Sequence, residues 1–231
     1  MSTAPAGLLR RYAAWSLDMA LLSAVAVLAS LDRIREAAAR ACGAFEALVA
    51  AMARSMLDVL AQGGTPWELA RDWLADAGSR RLVSALVDAV GDAVFVPLLL
   101  LALLALAWST LWEGSARQAT PGKQALGLRV VDAAGGSPGV ARAAGRHLAG
   151  ALSWLTLNIG HLLAMAPPQY QALHDRIAGT RVLGVRPDAA LPGWAWAWLA
   201  LQALATLAAL AWLFAAMQAA MQRALDALLL F

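Results

Sequence analysis

The feature that most constrains this chain is a set of four apolar stretches, at residues 12–31, 93–112, 148–166 and 191–217. Each is close to or longer than the ~20 residues that a helix needs to cross about 30 Å of hydrocarbon. The 231-residue chain is 61% hydrophobic and only 14% charged, which leaves too little polar surface for a soluble domain of its size. The sequence therefore predicts an all-α polytopic membrane protein with three to four membrane segments.

The first stretch follows Arg10 and Arg11, as the apolar core of a signal peptide would. Asp18 interrupts the run, however, and the run is long for a signal peptide. We therefore expect this segment to be retained as the first transmembrane helix.

The distribution of basic residues predicts how the chain is oriented in the membrane. The N-terminal segment carries two arginines and no acid before its apolar stretch, and residues 113–147 carry five basic residues against two acids. Residues 32–92 carry seven arginines but nine acids. We therefore expect a multi-pass protein of the bacterial inner membrane, with a cytoplasmic N-terminus and with residues 32–92 in the periplasm.

Residues 32–92 have the pattern of an amphipathic helical insert. Apolar residues from Ile34 to Val59 recur at helical spacing, and the glycines of GGTP interrupt them. Thr65 is placed to cap a following helix that begins at Pro66. An apolar helix face needs a cover, so the insert is either a helical cap over the membrane face or a docking surface for a partner.

The segment TPGKQALGLRVVDAAGG, residues 120–136, predicts a strand after a turn. It is not a nucleotide-binding loop, because that pattern requires a glycine where Arg117 stands and a serine or threonine where Gln124 stands. Its β-branched residues and following glycines predict a β-strand, and GTRVLGV at residues 179–185 has the same character. Two lone strands would leave backbone groups unpaired, so we expect a small cytoplasmic two-stranded β element.

Three motifs give the chain a resemblance to a known family: RRYAAWSLDMALL, TPGKQALGLRVVDAAGGSPGVARAAGRHL and LHDRIAGTRV. In order and spacing they resemble the RDD family of small bacterial membrane proteins, which is named for one arginine and two aspartates. The resemblance implies that the name-giving residues are Arg11, Asp18 and Asp175. Further polar residues of the motifs are candidates for supporting roles, namely Lys123, Arg142, Arg146, His174 and Arg176.

The matching motifs lie near both ends of the first 186 residues. The chain departs from the family pattern in two places. The insert is longer than the family leads us to expect, and the fourth apolar stretch lies beyond the family core. The predicted organisation is the N-terminus and first transmembrane helix (1–31), the insert (32–92), the RDD-like core (93–186) and a C-terminal transmembrane helix with an amphipathic tail (187–231).

The membrane position of Asp18 limits its state. It lies about two turns into its predicted span, where an ionised carboxylate costs roughly 2.5–3.5 kcal/mol, so it must be protonated, paired or exposed to a water-filled cavity. Arg11 stands on the same helix face about 10 Å away and is a candidate partner. Asp175 could complete a cluster with Arg11, with Arg176 as its local alternative.

Two interpretations of these residues remain open. In the first, Asp18 binds and releases a proton or a cation. In the second, the residues are structural: Arg11 extends to the headgroups, Asp18 pins helices through an ion pair, and Asp175 holds local backbone N–H groups.

The third apolar stretch presents a topological choice. If it spans the membrane, residues 179–185 lie outside, away from their predicted strand partner. If it returns as a re-entrant hairpin, both strands meet in the cytoplasm, and Asn158 and Gly160 suit the break that this requires. We favour the hairpin, which implies a polar cleft near Asp18 because re-entrant backbone needs a cover of protein or water.

The remaining features bear on partners and chemistry. Arg142 and Arg146, four residues apart, form a basic face suited to anionic lipid headgroups. The single Cys42 excludes an intramolecular disulfide, the histidines lack a metal-binding spacing, and there is no nucleophile–base pair or cofactor motif. We therefore expect no enzyme activity, metal, cofactor or nucleic-acid partner.

Two functions of different class fit these observations. The chain could be a small transporter of protons, monovalent cations or a small solute through a cleft near Asp18. We would expect such a transporter to be a homo-oligomer, because three or four spans hardly enclose a pathway alone. The alternative is an accessory or assembly subunit of a larger membrane complex, with no transport of its own.

Overall fold

The computed structural model describes residues 4–185 and 190–229, which are mainly helical. The elements follow in the order β1 (Ala4–Pro5), α1 (Leu8–Ala29), α2 (Leu31–Ala61), α3 (Pro66–Ala75), α4 (Ala77–Glu113), α5 (Pro121–Ala125), β2 (Leu128–Asp132), α6 (Gly139–Leu155), α7 (Ile159–Leu162), α8 (Leu173–Ile177), β3 (Thr180–Gly184) and α9 (Gly193–Leu229). Among the described residues, α1, α4 and α9 are long and apolar enough to cross a membrane. The predicted all-α membrane fold is confirmed.

The third apolar stretch is broken into two limbs. α6 ends at Leu155, and Leu157 and Asn158 then adopt left-handed φ angles of 51° and 67° before α7 begins. A Cβ at Gly160 would overlap the Ser153 hydroxyl, so α7 lies directly against α6. The predicted break at Asn158 is confirmed, and the stretch is a hairpin and not a continuous span.

A small antiparallel sheet has the strand order β1–β3–β2. β2 pairs with β3 along its whole length, with Val130 opposite Val182, so the predicted pairing is confirmed. The third strand, β1, was not predicted. The inner face of the sheet carries Leu128, Val130 and Val182, which form one core with Ala13 and Ala14 of α1.

The insert folds into α2, α3 and the first part of α4. The predicted helix start is confirmed: the Thr65 hydroxyl accepts a hydrogen bond from the Glu68 N–H at 3.3 Å, and the Glu68 carboxylate accepts one from the Thr65 N–H at 2.7 Å. Pro66 is the first residue of α3. This reciprocal capping satisfies backbone donors that the start of a helix otherwise leaves free.

The chain forms two compact units. Unit 1 comprises residues 1–26 and 99–202, and unit 2 comprises residues 27–98 and 203–231. Unit 1 contains the sheet, the hairpin and all three motifs. In unit 2, exposed ion pairs connect α2 to α4 and to α9, namely Arg40–Asp92 at 2.8 Å and Arg223–Glu46 at 2.7 Å.

Candidate functional site

Five charged residues of unit 1 form a continuous chain of ion pairs, which we call the charge cluster. Cations and anions alternate along it in the order Arg11, Asp175, Arg146, Glu113 and Lys123. The N–O distances are 2.8 Å for the two pairs of Asp175 and 2.6 Å for the two pairs of Glu113. Arg11 and Asp175 thus meet as the sequence predicted, and Arg146 bridges the two acids.

Three members of the charge cluster lie at or near the ends of helices. Arg11 lies near the start of α1, and Glu113 is the last residue of α4. Asp175 is the third residue of α8, and its carboxylate accepts the Ala172 N–H at 3.1 Å, as acids do at helix N-termini. The cluster therefore fastens the ends of elements that are far apart in the chain.

Arg11 reaches beyond its ion pair. Its guanidinium also donates to the Ala6 carbonyl at 2.9 Å and to the Tyr170 carbonyl at 2.8 Å. One side chain therefore ties the start of α1 to the segment after β1 and to the loop before α8. The planar fork of arginine suits such multiple donation, which a lysine could not reproduce.

The two acids of the charge cluster are removed from water, with the side chain of Asp175 0% and that of Glu113 1% exposed. Burial opposes ionisation of Asp175, but Arg146, His174 and Arg11 outweigh it and lower the pKa of Asp175 to about 2. Burial likewise opposes the charge of Arg146, but Glu113 and Asp175 raise the pKa of Arg146 above its ordinary value. Arg146 and Asp175 therefore remain ionised at physiological pH.

His174 supports the charge cluster as a neutral group. Burial and the charge of Arg146 lower the pKa of His174 to about 3. The Arg146 guanidinium lies 3.2 Å from His174 Nε2, so it donates to that nitrogen and the ring proton belongs on Nδ1. A protonated His174 would have no acceptor for Arg146 and would add a repelling charge beside it.

Asp18 forms a separate site, which we call the Asp18 clamp. Its carboxylate accepts hydrogen bonds from the Thr120 hydroxyl at 2.5 Å, the Gly122 N–H at 2.9 Å and the indole N–H of Trp108 at 3.3 Å. Asp18 is 5% exposed, so these three groups take the place of water around its carboxylate. The clamp fixes the TPGK turn to the middle of the first motif, so Asp18 does not pair with Arg11.

Gly122 makes the Asp18 clamp sterically feasible. A Cβ at this position would overlap the Ala14 carbonyl oxygen and lie 2.8 Å from the nearer Asp18 oxygen. Only glycine lets the backbone of α5 come this close to α1. The glycine of the TPGK motif is therefore explained by a close approach and not by phosphate binding.

The supporting residues separate into two groups. Lys123, Arg146 and His174 belong to the charge cluster or touch it. Arg146 is 8% exposed and cannot form an exposed basic face with Arg142, which corrects that expectation. Arg142 pairs instead with Asp132 at 3.4 Å, and Arg176 is exposed and joins no ion pair among the residues that the structure describes.

Glu113 is the functional residue that sequence reasoning missed. It holds both Lys123 and Arg146, yet the sequence showed it only as one of two acids in a basic segment. A signal was present, since Glu113 is the sole acid between residues 93 and 131 and follows an uncharged membrane stretch directly. An isolated acid at that place indicates a buried partner for nearby cations.

A scan against family models matches the RDD family over residues 5–179, a range that includes the whole charge cluster and the Asp18 clamp. No curated protein and no solved structure matches the chain. The family match covers well over half of the sequence, and three of the helices are apolar enough to span a bilayer. The chain is thus a multi-pass membrane protein that belongs to the RDD family.

Proposed function

We propose that this protein is an accessory or assembly subunit of a larger complex in the bacterial inner membrane, with its N-terminus in the cytoplasm. In this proposal the RDD residues are structural: they lock the cytoplasmic part of unit 1 into one conformation. The observation that carries the proposal is the exposed apolar surface of the insert, which lies in unit 2.

The insert exposes large apolar side chains although it is too highly charged to span the hydrocarbon. Its seven arginines and nine acids exclude it from hydrocarbon. Nevertheless Leu60, Trp67 and Leu74 are 64%, 76% and 72% exposed. Exposed apolar side chains that lie together in one patch are typical of surfaces that another protein or a membrane covers, and the proposal assigns these three to a protein.

The polar contacts of unit 1 support a structural role for the RDD residues. Each charge of the cluster has an oppositely charged partner within 2.8 Å, and Asp18 has three donors. A carrier site must exchange its partners for the ion that it moves. When all the partners of a charged group come from the same chain, the contacts first of all stabilise the fold of that chain.

Transport of protons or monovalent cations is the second candidate. The observation that favours it is the position of Asp18 in a membrane-spanning helix, where an ionisable residue is by default a functional-site hypothesis. In such a mechanism Asp18 would release the Thr120 hydroxyl and the Gly122 N–H when it takes up its cargo. The chain would then act as a homo-oligomer.

Site-specific photo-crosslinking in cells tests the proposed function. A photoreactive residue in place of Trp67 or Leu74 should give a stoichiometric adduct with one other membrane chain. The same residue in place of exposed Arg33 on α2 is the matched control and should give none. Adducts of twice the mass of the chain, or no adduct from any position, would contradict the subunit proposal.

The orientation can be tested with the natural thiol. Cys42 is exposed on α2, so a membrane-impermeant thiol reagent should label it in intact spheroplasts if the insert is periplasmic. In a C42A background, a cysteine in place of exposed Ser137 should be labelled only after lysis. The opposite pattern would reverse the proposed orientation.

A further inference from the structure

The acids of unit 1 that the structure describes each have partners within the unit. The described residues of this unit contain four: Asp18, Glu113, Asp132 and Asp175. Asp18 is in its clamp, Glu113 and Asp175 are in the charge cluster, and Asp132 pairs with Arg142. No ion pair among the described residues involves Arg129 or Arg181 of this unit.

These two arginines share the outer face of the sheet. Arg129 of β2 lies opposite Leu183, and Arg181 of β3 lies opposite Val131. Residues opposite each other in an antiparallel pair point to the same face, so both arginines stand on one face as diagonal neighbours, about 7–8 Å apart. Both are exposed, and neither forms an ion pair among the described residues.

The sheet packs close to the start of a membrane-spanning helix. Its inner face packs on Ala13 and Ala14, in the second turn of the membrane-spanning helix that begins at Leu8. At about 1.5 Å per residue this contact is within roughly 10 Å of the helix start. Headgroup layers occupy the first ~5–7 Å on each side of the hydrocarbon. The anionic surface nearest to the two arginines is therefore that of the bilayer itself.

We propose that Arg129 and Arg181 form a binding site for the phosphate of an anionic phospholipid. Two guanidinium groups at this spacing can converge on one phosphate. Leu183, which lies opposite Arg129 and is partly exposed, adds an apolar contact beside the two charges. The site is distinct from the charge cluster and from the Asp18 clamp, and it does not depend on whether the protein transports or assembles.

Lipid titration of the full-length protein in neutral detergent, read by native mass spectrometry, tests this site. Wild type should bind phosphatidylglycerol more tightly than phosphatidylcholine. The R129Q/R181Q variant should lose roughly 30-fold in its affinity for phosphatidylglycerol and keep its affinity for phosphatidylcholine. R129K/R181K, which keeps both charges, should retain most of the preference and shows that the sheet tolerates substitution at these positions.

The matched control is R33Q/R54Q, which removes two exposed arginines from α2 and should leave the preference unchanged. The proposal would be overturned by an unchanged phosphatidylglycerol affinity in R129Q/R181Q, or by an equal loss in the control. Competition by millimolar inorganic phosphate as effective as that of the lipid would also overturn it, because the site would then bind a free anion.

Discussion

Unit 1 and unit 2 both contain many charged residues, but they use them in different ways. In unit 1 the acids of the charge cluster are at most 1% exposed, and each holds two cations. In unit 2 the Arg40–Asp92 pair is 52% and 57% exposed. A buried pair that loses one partner leaves an uncompensated charge, whereas a surface pair is replaced by water. An ion pair therefore contributes strongly to the stability of unit 1 and only weakly to that of unit 2.

The largest expected effect is the loss of Arg146, the cation that bridges both buried acids. Arg146→Gln should lower the free energy of unfolding by about 3–5 kcal/mol, because it leaves Glu113 and Asp175 each with one cation. Arg40→Gln in unit 2 is the matched control and should cost at most about 1 kcal/mol. Thermal unfolding in detergent measures both, and equal losses would remove the contrast between the units.

The next effect is a dependence on pH. Burial lowers the pKa of His174 from 6.5 to about 3, so the unfolded chain takes up this proton at a higher pH than the folded chain does. The stabilisation is complete above pH 6.5 and is lost as the pH falls towards 3. His147 acts in the same direction, since burial also lowers its pKa.

Stability should therefore fall by roughly 3 kcal/mol between about pH 6.5 and pH 4. The glutamine of His174→Gln does not take up a proton in this pH range. The variant should therefore lose most of the dependence of stability on pH, although it is less stable than wild type at neutral pH. Denaturation curves at a series of pH values provide the measurement. If the free energy of unfolding changed with pH equally in wild type and in His174→Gln, His174 would not be buried beside Arg146.

The third prediction is that two glycines of unit 1 respond differently to substitution by alanine. Gly122→Ala should cost about 1–3 kcal/mol, because the new methyl group overlaps the Ala14 carbonyl and the Asp18 carboxylate. Gly145→Ala, in the middle of α6, meets no atom within 4 Å and should stabilise the helix by about 0.5–1 kcal/mol. Changes of opposite sign in the free energy of unfolding support the Asp18 clamp. If Gly122→Ala left the free energy of unfolding unchanged, the close approach of Gly122 to α1 would be contradicted.

The smallest effect belongs to unit 2. Thr65→Ala removes the cap of α3 and should cost about 1 kcal/mol. The effect is small because this helix is exposed and is capped only by local groups. Glu68→Gln should lower the free energy of unfolding by less than Thr65→Ala does, because an amide oxygen can still accept the Thr65 N–H. Unfolding measurements that rank these two changes in the reverse order would contradict the capping geometry.

The features that could be predicted from the sequence are local. Run length identified α1, α4 and α9 as spans, and Thr65 with Pro66 identified the start of α3. The β-branched residues identified β2 and β3. The strand β1 could not be found, because Ala4 and Pro5 have no strand pattern and pair only because β3 offers them free backbone groups.

The arrangement of the site depends on contacts between distant residues, which no period or spacing encodes. Glu113 and Arg146 are separated by 33 positions, and Asp18 and Thr120 by 102. The sequence placed Asp18 near Arg11 because the two share a helix face. The donors of the TPGK turn, together with Trp108, take that carboxylate instead, while Asp175 takes Arg11. The motifs thus identified the residues but not their partners.

Proton flux in proteoliposomes under imposed sodium or potassium gradients is the most direct test of whether the RDD residues are fixed structural contacts. The structural role predicts no flux above that of empty vesicles for wild type, and a lower thermal stability for Asp18→Asn. A cation-dependent flux in wild type that is lost in Asp18→Asn, with unchanged stability and with Asp88→Asn on the insert still active, would contradict it. Asp18 would then be the carrier of a transporter.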